Sequence, residues 1–110
     1  MPRRLPKRVE VILAETKSRL TELYSDRLKE LILFGSYARG DFRKGSYIDL
    51  LLLLDTISTP LEERDRYFPA LCELSLKYDT VLSVVPMDTQ TYETRHTPLI
   101  MNIHREGRHI

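Results

Sequence analysis

The sequence predicts a mixed α/β (α+β) fold, a small mixed sheet flanked by helices. Three observations lead there. From Lys7 to about Ser25 the apolar residues Val9, Ile12, Leu13, Leu20, Leu23 and Tyr24 recur at three- and four-residue spacing, the period of an amphipathic helix. The run from Ile48 to Leu54, broken only by Asp49, is apolar on both faces, as in a central strand covered on both sides. Two threonine–proline pairs, Thr59-Pro60 and Thr97-Pro98, mark helix starts, since threonine can cap and proline suits the first helical position.

Each element can be placed in order. Residues 1–6 hold two prolines and two arginines and are expected to be a frayed lead-in to the first helix. Leu28 to Phe34 reads as a short buried strand. The loop from Gly35 to Gly45 has room for one helical turn beginning near Ser36, and Ile48 to Leu54 returns to the sheet. The helix opened by Thr59-Pro60 should run to about Lys77 and bury Leu61, Phe68, Leu71, Cys72, Leu74 and Ser75. Val81 to Val85 is a third strand, stopped by Pro86. Asp88 or Thr89 starts a short helix through Tyr92. A last helix runs from Pro98 to about Arg105, with Gly107 placed to end it, and Arg108-His109-Ile110 adds an edge strand. No repeat or linker divides the chain, so residues 1–110 are expected to form one domain.

Composition narrows the function classes. Apolar residues make up 42% and charged residues 30%, the balance of a soluble globular protein. A net charge of +1 gives no argument for a nucleic-acid partner. Arg3, Arg4, Lys7 and Arg8 are clustered, but no aromatic stacking group lies among them, which argues against a single-strand binding platform. The only cysteine, Cys72, leaves no internal disulfide to form and fits a cytoplasmic protein. No apolar run follows the basic N-terminus, so neither a signal peptide nor a membrane association is expected.

The chemistry concentrates in residues 35–49. Glycine after a strand lets backbone approach a ligand closely, and the amides that follow can point at phosphate. Gly35 and Ser36 are therefore candidates for nucleotide binding, with Arg39, and less specifically Arg43, as phosphate contacts. A Gly-Ser pair alone is a plain turn, and Gly40 is followed by Asp41-Phe42, so this is not a P-loop. Asp49 carries more weight, because a carboxylate inside an apolar strand is costly unless it is paired or holds a cation. It is the candidate catalytic and metal-binding residue. Metal-dependent phosphoryl transfer commonly uses carboxylates at i and i+2 of one strand, since alternation puts both on one face. Here position 47 is tyrosine. Asp55 has the same parity as Asp49 but lies roughly 20 Å away at about 3.3 Å per residue. His96, His104 and His109 lack a metal-ligand spacing and are expected at the surface.

At this point the pattern resembles a known family. Leu-Phe-Gly-Ser-Tyr-Ala-Arg-Gly-Asp, followed by Ser46-Tyr47-Ile48-Asp49-Leu50, is similar to the signature of the minimal nucleotidyltransferases of the polymerase-beta superfamily. The likeness extends over most of the chain, to the closing Pro98–Gly107 helix. It implies a nucleotidyltransferase fold and transfer of AMP from ATP to an acceptor hydroxyl with Mg²⁺. It also implies a partner, a HEPN-domain RNase toxin that the family member neutralises, in some cases by adenylylation. By position Gly35 and Ser36 match the triphosphate-binding pair, and Asp49 the second carboxylate of an Asp-x-Asp. Tyr47 stands where the first belongs, and Ser83 about where many superfamily members carry a third.

Two functions follow. In one the chain is the antitoxin of a HEPN-type toxin, acting by contact, with its metal site degraded at Tyr47 and catalysis weak or absent. In the other it is a working Mg²⁺-dependent adenylyltransferase, with Asp49 on the metal, helped by Asp41. Neither reading fixes the oligomeric state, and a homo-oligomer stays open.

Overall fold

The computed structural model describes residues 4–110. Residues 1–3 of the expected lead-in, Arg3 among them, lie outside that range. Leu5 packs against the core, and the Pro6 carbonyl accepts the Glu10 amide at 3.1 Å.

Helix α1 (Lys7–Tyr24) leads through a 3-10 turn (Ser25–Arg27) into strand β1 (Leu28–Phe34). A one-turn helix α2 (Ser36–Arg39) precedes β2 (Ile48–Leu54), then α3 (Pro60–Tyr78) and β3 (Leu82–Asp88). The chain closes with α4 (Thr89–Thr94), α5 (Pro98–Glu106) and β4 (Arg108–His109). The sheet order is β3-β2-β1-β4, with β2 and β3 parallel and the other pairs antiparallel. Sequence caps open the later helices as expected. Thr59 Oγ1 accepts the Glu62 amide at 3.3 Å, Asp88 Oδ1 that of Thr91 at 2.7 Å, and Thr97 Oγ1 that of Ile100 at 3.2 Å.

The two sheet faces are covered separately. Leu31, Leu33, Ile48, Leu50, Leu52 and Leu54 meet α1 and α3 on one side. Ile32, Leu51 and Leu53 meet Ile103 of α5 on the other, with Phe34, Val85, Met87 and Tyr92 packed around them. This double cover is why β2 reads as a continuous apolar run. Among the described residues, no helix is long and apolar enough to cross a membrane.

Three expectations are corrected. First, α3 is rotated from the predicted register. It buries Glu63, Tyr67, Leu71 and Leu74, while Leu61, Phe68 and Cys72 are exposed. The predicted stripe of Leu61, Phe68, Leu71, Cys72, Leu74 and Ser75 left out both Glu63 and Tyr67. Glu63 is buried because Arg27, just before β1, reaches it, Nη2 to Oε2 at 2.7 Å. Second, β3 continues through Pro86 to Asp88. It is an edge strand paired with β2, the position in a sheet where proline is tolerated. Third, Gly107 does end α5 but not through a left-handed turn, since its φ is −64°. A side chain there would collide with the Ile103 carbonyl at 2.6 Å and with Ile32 Cγ2 at 2.7 Å.

The buried ion pair yields a stability test. Arg27→Met strands the Glu63 carboxylate in the core, with Arg66 Nε 3.9 Å away as the remaining cation. A loss of about 3 kcal/mol is expected by urea denaturation, the low end for a broken buried pair. Arg27→Met/Glu63→Leu should recover most of it. A single variant as stable as wild type would show that the pair does not hold α3 in register.

Candidate active site

The turn at Gly35 joins β1 to α2. Gly35 has φ 78° and ψ −156°, a conformation that glycine alone adopts readily. It also lies directly under Asp49. A Cβ at Gly35 would run into the Asp49 carboxylate, with Cγ only 3.2 Å away. The antiparallel register accounts for this, since Asp49 pairs with Phe34, the last residue of β1. The first amides of α2 have no intrahelical acceptor, and no side chain caps them. Gly35, Ser36 and Asp49, separated by up to 14 positions in sequence, are thus brought to one place.

On its other flank Asp49 stands in register with Ser83 of β3. Tyr47, one residue before β2, is 57% exposed. Asp49 is accordingly the carboxylate on this end of β2. Asp55 is at the opposite end, where it pairs with Arg27 at 3.3 Å and accepts the Thr56 amide at 2.7 Å. Among the described residues, no group of three or more His, Cys, Asp or Glu side chains is placed to hold a metal ion. The donor set fits one Mg²⁺ shared between Asp49 and substrate phosphates, and does not fit a pair of ions.

Arg39 is paired with two carboxylates, Asp41 Oδ2 and Glu106 Oε1, both at 3.2 Å. Asp41 is committed to this network. Arg43 is exposed and its backbone closes a turn with Ser46, Arg43 N to Ser46 Oγ at 2.8 Å. His96, His104 and His109 are exposed. The nearest ring contacts are Tyr92, stacked on His104 at 4.2 Å, and Glu30, 2.6 Å from His109 Nδ1.

Two residues from the C-terminal segment were not legible as part of this region. Glu106 bridges to Arg39, and Arg108 Nε donates to the Ala38 carbonyl at 3.0 Å, closing the end of α2. Both partners are roughly 70 positions away, beyond any local pattern.

Burial pushes the Asp49 carboxyl above its ordinary value, and the Arg39 charge opposes this more weakly. The folded protein thus holds this proton more tightly than the unfolded chain. Its contribution to stability is present below the ordinary carboxylate range and is lost as pH rises through the folded pKa. Asp49→Asn is therefore expected to melt higher than wild type at neutral pH, with the difference closing near pH ~3. A variant that melts lower at neutral pH would show that Asp49 supports the fold and is not a carboxylate kept there at a cost.

A sheet carrying the Gly35 turn and Asp49 side by side, with helices on both faces, is a nucleotidyltransferase fold. The comparisons agree. Residues 13–109 match the family described as nucleotidyltransferase domain, and the chain belongs to that family. A Methanocaldococcus jannaschii protein named "Putative protein adenylyltransferase MJ0141" is 38% identical over 74 residues, 67% of this chain and 74% of its own length. A chain in the crystal structure of a toxin–antitoxin with AMP-PNP superposes with TM-score 0.61 at 19% identity, over 86% of this chain and 69% of that one. A chain from a complex of tri-AMPylated Shewanella oneidensis HEPN toxin with MNT antitoxin gives 0.52 at 16% identity, over 87% and 69%. At these identities the structural likeness is one of fold.

Proposed function

We propose that this chain is the antitoxin of a HEPN-type RNase toxin and neutralises it by stoichiometric contact, with nucleotide transfer weak or absent. The observation that carries the reading is the donor set around Asp49, a lone carboxylate flanked by Ser83, with an exposed tyrosine at position 47. Gly35, Ser36 and Arg39 are the residues assigned to the triphosphate of ATP, and Asp49 to one Mg²⁺ bound with it. Mg²⁺, when present, would neutralise phosphate charge. The chain's own part is to offer the α2 amides and to keep Asp49 against the glycine turn. A HEPN partner is supported by the family signature and by fold neighbours that come from toxin–antitoxin complexes.

The test mixes the purified chain with a HEPN-domain toxin protein and follows RNase activity without ATP. Inhibition should saturate at a fixed ratio of the two chains. Inhibition that strictly needs ATP and leaves AMP on the partner would sink this reading.

That outcome belongs to a second reading, a Mg²⁺-dependent protein adenylyltransferase. The observation favouring it is the intact glycine turn under Asp49, together with a relative named as a protein adenylyltransferase. Under it, the acceptor hydroxyl oxygen bonds to the α-phosphorus of ATP as the bond to pyrophosphate breaks, pyrophosphate and the hydroxyl proton leave, and Asp49→Asn removes the activity. Unchanged transfer by Asp49→Asn would exclude it.

A further inference from the structure

Beside the turn at residues 43–46 lies a cavity of about 410 Å³ that neither Gly35, Ser36 nor Asp49 lines. Its walls include Arg8 at the start of α1, Tyr37, Lys44, Ser46, and Asp79 and Thr80 after α3. A second cavity of about 230 Å³ shares Arg8, Tyr37 and Lys44 with it and adds Arg43. Arg8 and Lys44 thus line both cavities, with Arg43 on the smaller and Asp79 the one carboxylate on the larger.

What sets these three cations apart is their place around one concave surface. Arg19, Arg27, Arg39, Arg66 and Lys77 each sit against a carboxylate. Among the described residues, Arg8, Arg43 and Lys44 form no ion pair. The Arg8 guanidinium donates instead to the Tyr78 carbonyl, which fixes it at the cavity wall without cancelling its charge. Positive charge left uncompensated around a concave surface concentrates anions there. The hydroxyls add direction. Ser46 Oγ accepts the Arg43 amide at 2.8 Å, which leaves its own proton to donate.

We propose that this cavity is a second ligand site, distinct from the Gly35–Asp49 region, which binds a phosphate group on a molecule of nucleotide size or smaller. A carboxylate carries one charge and is satisfied by a single arginine. A phosphate carries up to two and offers three or more acceptor oxygens, matching several cations and a hydroxyl. The volume lies in the range of small-molecule pockets, which favours a mononucleotide over an extended strand.

The test titrates the full chain with inorganic phosphate and, separately, with AMP, following backbone amide NMR shifts. Saturable shifts are expected at Lys44, Gly45, Ser46 and Thr80, and they should persist in Asp49→Asn. Lys44→Ala, on an exposed turn, should weaken binding about tenfold, the effect of losing one charge-assisted hydrogen bond. Arg8→Ala should do the same, but it also releases the Tyr78 carbonyl, so Lys44→Ala decides. Tighter binding of AMP assigns the site to a phosphate ester, and equal binding to free phosphate. The proposal fails if neither ligand shifts these amides, if shifts appear only over residues 35–38, if Lys44→Ala leaves affinity unchanged, or if only a single-stranded RNA oligonucleotide binds.

Discussion

Tyr47→Asp is expected to raise Mg²⁺-dependent transfer of AMP from ATP by about a hundredfold. Residue 47 stands two positions before Asp49, where the family signature carries the first carboxylate of its Asp-x-Asp, so the substitution would restore a carboxylate pair at i and i+2. A second carboxylate at a metal site is worth on the order of 3 kcal/mol of charge stabilisation in the transition state, which corresponds to that factor. The folded state should tolerate the change. Tyr47 is 57% exposed and lies outside β2, and surface substitutions of this kind usually stay within about 0.5 kcal/mol. Calorimetry with ATP, with and without Mg²⁺, reads the metal requirement, and the mass of the acceptor reads the transfer. If Tyr47→Asp and wild type bind ATP with the same Mg²⁺ dependence and transfer AMP equally, Tyr47 is not the lesion. The site would then have to work with Asp49 alone.

That prediction rests on the part of the molecule most legible in the sequence. Strand β2 was readable because both its faces are covered, which leaves a leucine run that no helix period explains. The glycine turn was readable because Gly35 and Ser36 follow β1 without a break. What could not be read were the features set by long-range pairs. Glu63 is buried only because Arg27 meets it, so a rule that sends charges outward puts α3 in the wrong register. Arg39 looked free for phosphate, yet Glu106 reaches it from the far end of the chain. The close approach of Gly35 to Asp49 lies between these cases. Each residue stood out alone, but their contact needed the β1–β2 register.

That contact sets up the second large effect. Gly35→Ala is expected to destabilise the fold by about 2–4 kcal/mol and to abolish ATP binding. Two causes contribute. The backbone conformation at Gly35 is one that L residues rarely adopt, worth of order 1–3 kcal/mol. The new Cβ also meets the Asp49 carboxylate and must push it aside or move the turn. A double-mutant cycle separates the two. Asp49→Gly removes the clash and leaves the backbone strain, so Gly35→Ala should cost measurably less in that background, with coupling of about 1 kcal/mol. Purely additive changes would mean that backbone conformation alone fixes glycine at position 35. Coupling would mean that glycine is required there so that Asp49 can stand against the turn. In that case any larger residue at 35 should lose Mg²⁺-dependent ATP binding even where the protein still folds.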